Sequence, residues 1–267
     1  MILIFISLLL YIIVPYLVIR YFLSKDYGTK EPIGKLWLAF LFGFIASIVV
    51  NLLINELSVT LSGATLVQHI EGQIYSNPFR AILGIFVAAV AEEVFKFLPL
   101  ALYIRKKGYF NESTDGVIYF AISGFTFGFL ENVLYAFLLG PQVAIVRATI
   151  NPIFHGASTG MVGYYFSKNE FRGKHFSKTL IVLFIFSLIH ALYNMGSFFV
   201  SDVSILLSLM LSVVVPVGLF VLFKKARKKD KELGISSSEP NKYCTKCGKK
   251  NKNGTLFCEN CGKDFRI

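Results

Sequence analysis

Seven stretches of about 20 mostly apolar residues recur along the chain, each long enough for a helix to cross a bilayer. They lie near 2–23, 36–57, 79–103, 116–139, 143–166, 178–200 and 202–223, joined by connecting loops. The pattern predicts an all-α polytopic membrane protein with about seven transmembrane helices and a small C-terminal module. The first stretch has no basic n-region and no small-x-small cleavage site, and its apolar run is too long for a signal peptide. It is read as a retained helix.

Polar residues inside these stretches are few and concentrated. Glu92 and Glu93 are adjacent in the middle of FRAILGIFVAAVAEEVFKFLPLALYI. A charge at membrane depth costs at least about 2.5 kcal/mol, so such acids are expected to pair, bind or react. At helical rise they sit about 20 Å along the third span, near mid-membrane. Lys96 follows Glu92 by four residues, the spacing of a favourable acid–base pair, and is the expected charge partner of Glu92. Pro99 is expected to bend this helix.

The fourth span adds Glu131 and Asn132, the fifth Arg147 and His155, and the sixth His190 with Asn194 one turn on. Glu131 has no basic residue one turn away and needs a partner from another helix. Gly124 and Gly128 form a small-xxx-small face that lets a neighbouring helix come close. Taken singly, His190 and Asn194 suit helix-packing hydrogen bonds, and Arg147 suits snorkelling to the interface. Together, four helices carry polar groups between the midplane and the outer half of the bilayer. That shared depth points to an aqueous functional site.

Composition agrees with the spans: 55% hydrophobic residues, 27 Phe in 267 residues, and a mean hydropathy of +0.62 exclude a soluble domain. Basic residues crowd alternate loops (Arg20 to Lys35, Arg105 to Lys107, Lys168 to Lys178) and peak in KKARKKDK after the last span. The positive-inside rule then places the N-terminus outside and the C-terminus in the cytoplasm of a multi-pass cell-membrane protein. An odd span count requires the two ends to lie on opposite sides, in agreement with this. The net charge of +11 reads as topology and affinity for anionic lipids on the cytoplasmic face, not as nucleic-acid binding.

A polar linker, GISSSEPNK, separates the membrane body from the tail. The expected divisions are a membrane domain over 1–223, a basic juxtamembrane segment and linker over 224–241, and a tail module over 242–267. All four cysteines lie in that tail: Cys244 and Cys247 form one C-x-x-C knuckle, Cys258 and Cys261 a second, and a glycine follows each. Each pair suits one side of a tetrahedral ion, and the glycine permits the turn that aims N–H groups at sulfur. The expectation is a zinc-ribbon β-hairpin whose folding energy comes from structural Zn2+, because the module is too short for a core of its own. A cytoplasmic tail argues against the alternative of stable disulfides.

The membrane constellation admits two hydrolytic chemistries. His155, His190 and one or two glutamates suit a zinc shell, with a neighbouring acid taking the proton of a bound water. Alternatively Glu92 or Glu93 polarises water without metal, while histidine and asparagine stabilise the oxyanion. No serine stands in the strand-to-helix turn context of G-x-S-x-G, the Gly156–Gly160 match lying inside the fifth apolar stretch, and H-E-x-x-H does not occur, so serine-hydrolase and common zincin mechanisms lack support.

The ordered motifs Glu92-Glu93-x-x-Lys96, Phe127-x-x-x-Glu131-Asn132, the His155 segment and His190-x-x-x-Asn194 resemble those of the PrsW family of intramembrane proteases. That family is related to the CAAX prenyl endopeptidase and bacteriocin-immunity superfamily. The resemblance covers spans three to six. It implies a multi-helix membrane protease whose catalytic residues are Glu92, Glu93, Glu131, His155 and His190. Its substrate would be a membrane-embedded or membrane-tethered protein, such as an anti-sigma factor cut on the extracytoplasmic side. The CAAX branch typically carries Glu-Glu-x-x-x-Arg and a histidine where Glu131 stands, so Lys96 and Glu131 favour the PrsW branch. The superfamily is described both as metalloprotease-like and as glutamate-based, which leaves both chemistries open. The tail resembles zinc ribbons appended to other bacterial and archaeal membrane proteins. Two non-catalytic readings stand beside the protease: a transporter or ion-binding scaffold, though no internal repeat is visible, and a sensor whose ribbon recruits a partner.

Overall fold

A computed structural model of the chain describes residues 2–26, 30–62, 78–139, 150–170, 176–198 and 202–232, and 243–244, 247–251, 258 and 260–262 of the tail. Seven helices are found among the described residues. They are α1 (Ile2–Lys25), α2 (Ile33–Ser62), α3 (Pro78–Ile104), α4 (Ser113–Leu139), α5 (Ile150–Glu170), α6 (Ser177–Phe198) and α7 (Asp202–Glu232). Each coincides with one of the apolar stretches. Four contain segments that are long and apolar enough to cross a membrane: Ile33–Ile54, Ser113–Leu138, Ser177–Gly196 and Asp202–Glu232. Helix α3 falls short of that measure because it carries Glu92, Glu93 and Lys96, the groups that make the site. It nevertheless runs unbroken through Pro99.

The helix ends show why the bundle closes as it does. Helix α3 opens on Pro78, where a missing N–H is harmless. The α4 N-terminus is satisfied by two carboxylates. Asn111 and Glu112 donate their amides to Asp115 Oδ2 at 2.7 and 2.8 Å. Ser113 and Thr114 donate theirs to the two oxygens of Asp230, both at 2.9 Å. A buried carboxylate at the positive end of a helix answers both its orphan donors and its dipole. Asp230 belongs to α7, which continues as helix through the basic segment to Glu232, with Ala226 and Asp230 buried on its inner side.

Thr114 Oγ1 also donates to Asp26 Oδ1 at 2.8 Å, Tyr119 donates to Glu31, and Arg105 reaches Glu170 at 3.4 Å. The ends of α1, α3, α5 and α7 therefore meet at one basic end of the bundle. Burial there pushes the Glu31 carboxyl up to about 7, with the charge of Asp26 adding to it and hydrogen bonds from Asp115 and Tyr119 opposing it.

Helices α4 and α5 form the centre. Of the α4 span, 72% is buried, against 11% of the α7 span. Glycine permits their contact. A Cβ on Gly124 would stand 2.3 Å from the His155 carbonyl oxygen, and one on Gly128 would stand 2.8 Å from His155 Cδ2. The expected small-residue face is thus occupied by the helix that carries His155. Around this centre the usual polarity is inverted. Glu92, Glu93, Lys96, Glu131, Asn132, Asn151, His155 and His190 are buried, while Leu52, Phe79, Phe137, Ile181 and Val217 are exposed. An apolar sheath around a charged interior suits a hydrocarbon solvent.

Candidate functional site

Helix α3 presents Glu92, Glu93 and Lys96 to the bundle interior, where Glu93 and Lys96 are fully buried. Glu93 Oε1 is the hub. It accepts from Lys96 Nζ at 2.6 Å and from Ser158 Oγ of α5 at 3.2 Å, and His190 Nδ1 of α6 lies 2.9 Å away. Lys96 Nζ, a donor only, also reaches His155 Nδ1 at 2.9 Å, and it sits 5.0 Å over the Phe127 ring. The far side of the His155 ring meets α4, with Nε2 2.8 Å from Glu131 Oε2. Asn151, one turn before His155, donates to Glu131 Oε2 and to Asn132 Oδ1, both at 3.0 Å. Glu92 Oε2 lies 3.5 Å from His190 Nε2, and the two imidazoles stand edge to face at 4.8 Å. Four helices thus close one continuous polar chain.

The structure brings most of this constellation together and corrects one pairing. Glu92, Glu93, Glu131, Asn132, His155 and His190 come together, and Glu131 finds its partners on another helix, His155 and Asn151. Lys96, however, pairs with Glu93 and not Glu92. Spacings of three and four both bring side chains together on a helix. Ser158, His190 and His155 decide between them by converging on Glu93 and Lys96, and Glu92 turns to His190. Asn194 is half-buried one turn beyond His190, outside the bonded set. Arg147 lies outside the described residues.

Asn151 and Ser158 were not singled out in the sequence. The signal was present: Asn151, His155 and Ser158 fall at i, i+4 and i+7, one face of α5.

The donor set fits a metal ion. Ligand atoms from Glu92, His155 and His190 lie within 4.8 Å of one another. Both nitrogens of His190 and Nε2 of His155 are buried without a well-directed hydrogen bond, as is Glu93 Oε2. Formally, the three carboxylates of Glu92, Glu93 and Glu131 face one ammonium, a deficit that a divalent cation would offset.

The tail holds a second set. Cys244 Sγ is 3.3 Å from Cys261 Sγ, and Cys247 Sγ is 3.5 Å from Cys258 Sγ, with all four mutually within 4.8 Å and all free thiols. Four sulfurs about 2.3 Å from a tetrahedral ion would be about 3.8 Å apart, so the cluster fits one metal ion. Gly248 and Gly262 take φ of 72° and 68°, and their amides close onto the carbonyls of Cys244 and Cys258 at 2.7 and 2.9 Å. This is the left-handed turn each knuckle requires. Against the penalty of burial, the N–H groups of Cys261 and Asn260 and the side chains of Cys247 and Asn251 draw the Cys258 thiol down to about 6. One antiparallel bridge joins Tyr243 and Lys250; no strand forms among the described residues.

Comparison with known proteins gives a consistent result. The family described as PrsW family intramembrane metalloprotease matches residues 31–223, from the start of α2 into α7. Among curated proteins, the chain is similar to Protease PrsW of Geobacillus kaustophilus, with 29% identity over 58% of this chain and 63% of that one. It is similar to Protease PrsW of Clostridioides difficile, with 32% identity over 62% and 68%. A third relative is Protease PrsW of Halalkalibacterium halodurans, with 27% identity over 65% and 74%. The matches therefore span from 63% to 74% of these relatives' lengths. No solved structure matches the chain.

Proposed function

Because the chain belongs to the PrsW family of intramembrane metalloproteases, we propose that it is an endopeptidase cutting a membrane-embedded or membrane-tethered protein. An anti-sigma factor or a similar stress-signalling protein is the substrate class that the family resemblance suggests. The observation that carries the reading is the closed network of Glu92, Glu93, Lys96, Glu131, His155 and His190, buried among helices whose outer surfaces are apolar.

The roles follow from the bonds. Glu93 is the general base: Oε1 is anchored by Lys96 and Ser158, while Oε2 is buried with no hydrogen bond and open to a water proton. Lys96 balances its charge and, by donating to Nδ1, fixes the orientation of His155. Glu131 braces the opposite side of that ring, in the manner of carboxylates that orient histidine ligands. Glu92, His155 and His190 would hold a zinc ion, with Lys96 giving up Nδ1 of His155 so that its lone pair serves the ion while Nε2–H stays on Glu131. Such an ion, when bound, would supply acidification of a water and polarisation of the scissile carbonyl. The proton taken by Glu93 is then returned to the departing amine. Asn132 and Asn151 hold Glu131 in place.

All seven helices are proposed to span the membrane, with the N-terminus outside and the C-terminus cytoplasmic. The gathering of the basic loops at one end of the bundle supports this orientation. The tail is proposed to be a zinc-ribbon hairpin, a structural element separate from catalysis.

Glu93→Gln and His155→Ala are each expected to abolish cleavage of a co-expressed substrate while the protein still reaches the membrane. A proteomic comparison of active and Glu93→Gln cells would identify that substrate as a membrane protein that keeps its outer domain only in the variant. Unchanged cleavage in both variants would refute the assignment.

A further inference from the structure

Helix α7 carries Lys224, Arg227, Lys228 and Lys231 at i, i+3, i+4 and i+7, a single stripe along its last two turns. The opposite stripe, Phe223, Ala226 and Asp230, is buried against the bundle. The basic stripe does not point into open solvent on all sides. It lines an open groove of about 360 Å³ bounded on its other side by Tyr21 and Lys25 of α1. Its aromatic lining is Tyr21 and Phe223, 6.4 Å apart, with Phe22 packed behind Phe223 at 4.4 Å.

Five cations therefore share one groove. Of the acids next to them in sequence, Asp26 and Asp230 accept hydrogen bonds from the start of α4, and Glu232 makes a long, exposed pair with Lys228 at 3.8 Å. Like charges three and four residues apart destabilise a helix by about 0.2–0.5 kcal/mol per pair. The helix dipole accounts for cations in the last turn, but not for Lys224 and Arg227 before it. Basic residues occupy every position from 224 to 231 except the buried Ala226 and Asp230; the positive-inside preference accounts for their number, but not for four of them facing Lys25 of another helix across one groove. An anion in the groove accounts for both.

Depth identifies the anion. On the same helical faces, deeper into the bundle, Ile13 and Leu17 of α1 and Val217 and Val221 of α7 are exposed and apolar. The groove thus sits where apolar lipid-facing surface gives way to polar surface, at head-group level. We propose that it binds one anionic phospholipid of the adjoining leaflet. Lys25, Lys224, Arg227, Lys228 and Lys231 hold the phosphodiester, and the acyl chains lie along those apolar faces. The lipid joins α1, which begins before the family-matched region of 31–223, to α7 near Asp230, the cap of the central helix.

The test uses the full chain, purified in mild detergent, stripped of lipid and titrated with phosphatidylglycerol or phosphatidylcholine. Retained lipid is counted by native mass spectrometry. One phosphatidylglycerol per chain is expected, with phosphatidylcholine at least about tenfold weaker. Lys224→Gln/Arg227→Gln/Lys228→Gln should weaken phosphatidylglycerol retention by about tenfold or more. Lys225→Gln/Lys249→Gln/Lys250→Gln, which removes as many charges outside the groove, should leave it unchanged. Equal retention of the two lipids in the unaltered chain overturns the proposal, and needs no variant to fold. So does an equal loss in both triple variants, which would mean diffuse attraction. Displacement of the lipid by equimolar inorganic phosphate would assign the groove to a soluble anion and also overturn it. The readout is bound lipid and not cleavage, so it stands or falls separately from the protease assignment.

Discussion

The membrane site and the cysteine tail are both clusters of candidate metal ligands, yet they are built in opposite ways. The tail draws its four ligands from 18 consecutive positions, and each pair is shaped by its own turn at Gly248 or Gly262. The membrane site draws from four helices, and its partners on different helices are 19 to 98 residues apart. Local chelate geometry needs little beyond the chain's own turns. A distributed site needs the bundle to set distances to a few tenths of an ångström. The lesson is that the tail's chemistry is separable from the fold while the membrane site's is not, and that difference can be tested.

The largest expected effect is at the hub. Glu93→Gln should lower cleavage by about 10²–10⁴-fold, the usual worth of a positioned base, with protein level in the membrane as the control. Lys96→Met should act through the fold as well as the chemistry. It leaves Glu93 buried without its cation, a defect of about 3–5 kcal/mol, read as a fall in thermal stability of the purified chain. A variant that lost activity but melted normally would show that the pair matters to chemistry alone.

Packing comes next. Gly128→Ala places a methyl group 2.8 Å from His155 Cδ2. It should destabilise by about 1–3 kcal/mol and lower kcat more than it raises KM, because the ring it displaces is in the site. Full activity with unchanged stability would mean that α4 and α5 do not need their close approach.

The basic end of the bundle supplies a pH test. Burial raises the Glu31 carboxyl from 4.5 to about 7, so the folded chain binds this proton more tightly than the unfolded one. The stabilisation is full below about 4.5 and is lost as pH rises through about 7, on the order of 3 kcal/mol. Melting temperature should therefore fall between pH 5 and pH 8, and Glu31→Gln should flatten that slope. A slope that persists in the variant would assign it to another group.

The smallest effect on catalysis is expected from the tail. Cys244→Ser/Cys258→Ser should remove one bound zinc per chain by elemental analysis and leave cleavage within about twofold, as a separable metal-folded module would. A collapse of activity to the level of Glu93→Gln would break the contrast between the two regions and tie the ribbon to catalysis.

Much of this was legible in the sequence. The seven helices follow the apolar runs because a bilayer asks for long, uninterrupted hydrophobic segments. The acids and imidazoles were conspicuous because charge inside such segments is rare. The knuckles were legible because their geometry is local. Other features were not. Lys96 sits at favourable spacing from both Glu92 and Glu93, and no feature of α3 alone distinguishes them. Asn151 and Ser158 are small polar residues of a kind that packs many membrane helices, and only their phase with His155 marked them. Asp230 lies in a run of lysines and reads there as a spacer between like charges; its role as the cap of α4 spans 116 residues.

By itself, then, the sequence determined which segments become helices, which residues bring charge into them, and how each cysteine knuckle turns. These properties depend on neighbours within a turn or two and on the solvent that surrounds the chain. Only the tertiary structure decided that Lys96 serves Glu93, that His155 is held between Lys96 and Glu131, and that five cations of α1 and α7 face one groove. Those pairings depend on how helices distant in sequence pack, and close packing through Gly124 and Gly128 sets which atoms come within bonding reach.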